Sequence, residues 1–175
     1  MKVKRILRAL VILMILSSNI GCDQISKGIV RQRIDYNEEI SLINDHLTLT
    51  KIENTGAFLS VGQSLPQPTK ILLLTILPIV VLGLAFIYLL VKRGLSNLRI
   101  LGMCFVIGGG FGNVYDRLVH GSVTDFVHID LVIFQTGIFN MADVSIMTGM
   151  FVILLDSYFK RKKLAYKTID EQGEE

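Results

Sequence analysis

Two short stretches of this 175-residue chain each set one aspartate at the edge of an apolar run: GSVTDF, with Asp125, and FNMAD, with Asp143. Taken singly, each is an ordinary surface carboxylate or helix cap. Asp143 also suits the first turn of a helix, where the dipole favours negative charge. Taken together they suggest more. Two carboxylates at one depth on adjoining segments cannot both ionise easily, so one keeps a proton while the other accepts one from water. A water held between them is a nucleophile toward an amide carbonyl, and the protonated partner stabilises the developing oxyanion. Asn140, three residues before Asp143, falls on nearly the same helix face.

Two further polar groups interrupt apolar sequence. In GGGFGNVYDRLVH, residues Gly109, Asn113, Asp116, Arg117 and His120 recur at helical spacing and form one stripe. An aspartate or arginine at mid-bilayer costs about 2.5–3.5 kcal/mol by insertion scales. Two accounts remain open for this pair: an Asp116–Arg117 or interhelical ion pair that only holds helices together, or part of a working site. Gly108 and Gly112 make a GxxxG pair that lets a neighbouring backbone approach. Near the N-terminus, Asn19, Asp23 and Lys27 are spaced four apart and share a helix face, with Cys22 pointing away from it.

The elements that must position these residues are membrane helices. Hydrophobic residues make up 51% of the chain, and mean hydropathy is +0.53. Four segments, at about residues 6–28, 70–91, 98–120 and 139–159, have the length and apolarity to cross roughly 30 Å of hydrocarbon. Pro78 falls inside the second, where neighbouring helices must re-satisfy the freed carbonyl of Leu74. Basic residues cluster before the first segment, between the second and third, and after the fourth. With four spans all three clusters fall on the cytoplasmic side, together with both termini, and the residues between spans one and two and between three and four face outward.

The outward insertion, about residues 34–66, mixes Leu42, Leu47, Leu49 and Ile52 with threonines and reads as two or three short strands. The fold class is therefore membrane α-helical, a four-transmembrane-helix bundle with a small extracytoplasmic β-sheet between helices 1 and 2. It forms a single domain over residues 1–163, followed by an acidic cytoplasmic tail over 164–175 that is expected to be disordered. Asn19-Ile20-Gly21-Cys22 imitates a lipidation site, but removing it would detach the orienting positive cluster, and a retained first helix is expected.

Several chemistries are missing from the sequence. There is no HExxH, no GxSxG elbow and no CxxC, and His46, His120 and His128 lack ligand spacing. The basic clusters have no aromatic interleaving, which argues against nucleic acid as a partner.

Five blocks in order, DQISK (Asp23, Gln24, Lys27), NTGAF (Asn54, Gly56, Phe58), GNVYDR (Asn113, Asp116, Arg117), GSVTDF (Asp125) and FNMAD (Asn140, Ala142, Asp143), resemble the lipoprotein signal peptidases, the bacterial type II signal peptidases. The resemblance implies an aspartic endopeptidase of the cytoplasmic (inner) membrane, monomeric, with its active site near the outer face and no metal or other cofactor. Its substrates would be prolipoproteins cut just before a diacylglyceryl-modified cysteine, reached through membrane lipid, and globomycin-type antibiotics would inhibit it. It further implies that Asp125 and Asp143 are the catalytic pair. Asn54, Gly56, Asn113, Arg117 and Asn140 would bind substrate, and Asp23, Lys27 and Asp116 would support the site. The outer sheet would cradle the substrate. The family often has two alanines in N-x-G-A-A-F where NTGAF has one, so the loop is one residue shorter or shifted there.

Overall fold

The computed structural model describes residues 2–172 apart from 37, 44–45, 58–60 and 132, so Phe58 lies outside the described residues. The first apolar run is one helix, α1 (Lys2–Arg33). At 1.5 Å per residue it is about 48 Å long, so it outreaches about 30 Å of hydrocarbon by several turns. Its last turns have packing of their own: Val30 and Ile34 are buried against Phe126, with Ile40, Leu49 and Val127 around them. This is why α1 continues past residue 28, where the sequence led us to expect its end.

The second apolar run is continuous but not uniform. A short helix α2 (Gln67–Ile71) passes through a π-helical turn (Leu72–Ile76) into α3 (Leu77–Val91). Pro78 sits in the first turn of α3, and the amide of Leu77 donates to Leu72 O. The wide turn therefore absorbs the proline before the α-helical pattern resumes. Only Leu89 of α3 is buried. α4 (Asn97–His120) begins where the Ser96 hydroxyl accepts from the Arg99 amide and ends at Gly121, whose φ of 76° is the left-handed cap conformation. α5 (Met141–Gln172) completes the set. Among the described residues, four helical runs, Val3–Arg33, Gln67–Val91, Asn97–His120 and Met141–Lys163, are long and apolar enough to span a membrane.

α4 packs against α1, α3 and α5, and its glycines explain how. A Cβ on Gly112 would run into the Asp23 carboxylate of α1, and one on Gly108 into the Asn19 side chain. A Cβ on Gly109 would meet the Ala142 carbonyl of α5. The GxxxG pair thus admits α1, and the glycine between them admits the start of α5.

The sheet has the order β1 (Glu39–Ser41), β2 (Leu47–Asn54), β3 (Val123–Ile129), antiparallel throughout. Only two of its strands come from the 34–66 insertion. The third is the connection between α4 and α5, so Asp125 is a strand residue and the sheet is not confined between the first two spans. Glu53 pairs with Thr124 and Asn54 with Val123, which places the end of β2 beside the start of β3. Both cysteines are free, Cys22 exposed and Cys104 buried.

Candidate active site

Asn140 and Asp143 begin α5 as a reciprocal cap. The amide of Asp143 donates to Asn140 Oδ1 at 3.0 Å, and the amide of Asn140 donates to Asp143 Oδ2 at 3.2 Å. This is the capping-box arrangement with short side chains at both positions, and it fixes the Asp143 carboxylate at the helix N-terminus. Its other oxygen, Oδ1, accepts from Asn113 Nδ2 at 2.9 Å.

Asp125 on β3 is held by two amides. Asn54 Nδ2 donates to Oδ2 at 2.9 Å, and Asn140 Nδ2 donates to Oδ1 at 2.6 Å. Asn140 therefore touches both carboxylates at once. Its Nδ2 also donates to Asn113 Oδ1 at 3.2 Å, which closes a ring of amides between the two acids. Asn54 is itself set by an Asx turn, its Oδ1 accepting from the Gly56 amide at 2.9 Å.

Asp125 is 4% exposed. Burial pushes its pKa up from 3.8 to about 6; the hydrogen bonds from Asn54 and Asn140 pull the other way, and the Asp143 carboxylate adds to the rise. A carboxyl raised on folding stabilises the fold in its protonated form, so the contribution is full below about 3.8 and is lost as pH rises through about 6. That gap corresponds to about 3 kcal/mol. The melting temperature of the wild-type chain relative to Asp125→Ala is therefore expected to fall between about pH 4 and about pH 7, and a constant difference would contradict it.

Both carboxylates line one cavity of about 30 Å³, together with Asn54, Ala57, Asn113, Arg117, Val123, Ile138 and Asn140. Such a volume admits a water. Arg117 Nη2 donates to Gly56 O at 2.7 Å and Nη1 to Asn113 O at 3.4 Å, so the guanidinium ties the NTGAF turn to α4. It does not pair with Asp116, which instead forms the interhelical ion pair of the first account, with Lys27 and Arg31 of α1. Gly56 meets the site through its backbone. His120, last in the α4 stripe, is exposed and apart from it.

Behind the cavity lies a buried ion cluster. Lys27, fully buried, donates to Asp23 Oδ2 at 2.8 Å, Asp116 Oδ2 at 2.9 Å and Asn113 Oδ1 at 2.9 Å, three acceptors for three protons. Arg31 supplies the second positive charge at 2.9 Å from Asp116 Oδ1. Gln24 Nε2 donates to both aspartates at 3.0 Å. Asp23 Oδ1 accepts from the Ala142 amide at 2.9 Å, in the first turn of α5. Asp23, Lys27 and Asp116 thus reach the cavity through Asn113 and the start of α5 and do not line it. Arg31 was not among the expected site residues, although it continues the spacing of Asn19, Asp23 and Lys27 by one more turn.

The model of the family described as Signal peptidase (SPase) II matches residues 12–159. The chain belongs to the signal peptidase II family. The lipoprotein signal peptidase of Streptococcus pneumoniae (strain ATCC BAA-255 / R6) is 34% identical over 152 residues, covering 87% of this chain and 92% of its own length. That of Brevibacillus brevis (strain 47 / JCM 6285 / NBRC 100599) is 34% identical over 145 residues, 82% of this chain and 92% of its own. A solved bacterial membrane enzyme superposes with a TM-score of 0.77 at 22% identity, covering 87% of this chain and 90% of that one, a likeness of fold. As a signal peptidase II the chain is a multi-pass membrane hydrolase of peptide bonds, and its matched region contains the whole cavity and the ion cluster.

Proposed function

We propose that this signal peptidase II is an aspartic endopeptidase that removes the signal peptide from diacylglyceryl-modified prolipoproteins, with Asp125 and Asp143 as its catalytic pair. The observation that carries this is the single cavity shared by the two carboxylates, each held by asparagine amides that Asn140 links. One proton is shared by the pair and resides mainly on Asp125, the carboxyl that burial raises. Asp143, charged at the N-terminus of α5, takes a proton from the bound water, whose oxygen attacks the scissile carbonyl. The Asp125 proton stabilises the oxyanion, and Asp143 returns its proton to the departing amine as the carbon–nitrogen bond breaks.

The proposed topology puts both termini in the cytoplasm and the cavity near the outer face of the inner membrane. A diacylated cysteine keeps its acyl chains in the bilayer, so its scissile bond meets the cavity at the interface. Asn54, Gly56, Asn113, Arg117 and Asn140 then hold the substrate backbone, and globomycin-type inhibitors compete for the same groups. The proposed working unit is a monomer. Purified protein in lipid vesicles, with no ion gradient, is expected to cleave a diacylated peptide before its cysteine and to spare the same peptide without lipid. Equal cleavage of both, or of neither, would reject the substrate assignment.

A further inference from the structure

We infer that Arg31, Thr124 and Glu53 form a clasp that positions Asp125 and Asn54, which makes them positioning residues for the reaction; this rests on the aspartate-pair reading above. Three observations meet here. Arg31 lies beyond Asp23 and Lys27 on their stripe, and its guanidinium joins three elements: Nη2 binds Asp116 on α4, and Nε donates to Thr124 Oγ1 on β3 at 2.8 Å. The Thr124 hydroxyl, having accepted that bond, donates its proton to Glu53 Oε1 on β2 at 2.9 Å. The other oxygen of Glu53 accepts from the Ser122 hydroxyl at 2.5 Å. Thr124 is fully buried, so its hydroxyl has no water to replace a lost partner.

The placement gives the chain its purpose. Glu53 and Thr124 are directly paired across the two strands, and each precedes a cavity residue, Asn54 and Asp125. Successive strand side chains point to opposite faces. One face of this strand pair is therefore bolted to α1 through Arg31, while the other carries the Asn54–Asp125 hydrogen bond. Lys27, one turn before Arg31, reaches Asn113 and through it Asp143. A single helix thus references both carboxylates: Asp143 through Lys27, and Asp125 through Arg31. A shift of the strand pair relative to α1 would change the separation of the two acids, and reaction rates are steep in such distances.

Thr124→Val removes the linking hydroxyl at nearly constant volume. On a diacylated peptide in vesicles its kcat is expected to fall about tenfold while KM stays within about twofold. Asp125 loses part of the Asn54 hydrogen bond that favours its charged form, so the kinetic pKa moves upward. Thr124→Ser restores kcat to within about threefold, since the hydroxyl is retained. Glu53→Ala, at a half-buried position, reproduces the loss and the pH shift, and Glu53→Gln, which keeps an acceptor for Thr124, restores both. If Thr124→Val does not fold, the Glu53 pair decides. Lowered melting temperatures with unchanged kcat and pH profile in the folded variants would overturn the clasp. Asp125→Asn run in parallel separates the two readings. An inactive Asp125→Asn beside a fully active Thr124→Val sinks the clasp alone, whereas an active Asp125→Asn removes the aspartate pair and the clasp with it.

Discussion

Asp143→Asn is expected to reduce cleavage of a diacylated peptide by about 10³- to 10⁴-fold, with the protein still folded in the membrane. The substitution keeps size and shape, and the new side-chain oxygen can still accept from Asn113 Nδ2, as Oδ1 does now. It loses the ability to take a proton from water. The amide nitrogen would also face the Asn140 backbone N–H, donor against donor, where Oδ2 now accepts. That lost cap bond costs about 1 kcal/mol of stability, too little to explain the loss of activity. Asp125→Asn should be equally inactive, because the shared proton no longer exists. The decisive result is the double variant. Two groups that act as one unit give a double loss no larger than either single loss. Multiplying losses would mean independent roles, and more than about a tenth of wild-type activity in either single variant would reject the pair.

What could be read from the sequence followed the helical period. Asn113, Asp116 and Arg117, like Asp23 and Lys27, announced shared faces through spacings of three and four, and the structure puts them on the same cluster and cavity. β3 gave no such signal. Thr124, Asp125 and Phe126 are consecutive and all buried, so neither face of the strand alternates with solvent and the period of two is erased. Asp125 could be read as a loop residue for that reason. The clasp was hidden by the same effect, because Thr124 and Glu53 meet only through strand pairing distant in sequence. Arg31 escaped because α1 was expected to stop at residue 28; tertiary packing of Val30 and Ile34 carries the helix further. Pro78 announced a disturbance in the second span but not its form, since a widened turn leaves the apolar composition unchanged.

Lys27→Met should lower stability by about 3–5 kcal/mol, because it removes one of the cluster's two positive charges and leaves both buried carboxylates. Among the described residues, Lys27 is the one side chain that touches Asp23, Asp116 and Asn113 together. Without its ammonium, two buried carboxylates have Arg31 as their remaining cationic partner, and Arg31 reaches only Asp116. Methionine fills much of the space, so a cavity accounts for little of the expected loss. A typical domain has only 5–15 kcal/mol in reserve, and a chain of this length should melt about 10 °C lower. Activity should fall as well, through Asn113. Its Oδ1 now accepts from Lys27, which fixes the amide so that Nδ2 points at Asp143. With that bond gone only the longer one from Asn140 Nδ2, at 3.2 Å, still orients the amide, so Nδ2 is held less firmly toward Asp143. The ion-cluster account is separable from simple misfolding by a second substitution. Lys27→Met combined with Asp23→Asn removes the opposite charge too, and an asparagine oxygen can still accept from the Ala142 amide. This pair should be more stable than Lys27→Met alone, because an uncompensated buried charge has been withdrawn. If the second substitution instead adds its own loss to the first, Lys27 serves as packing and the charge balance behind the cavity is incidental.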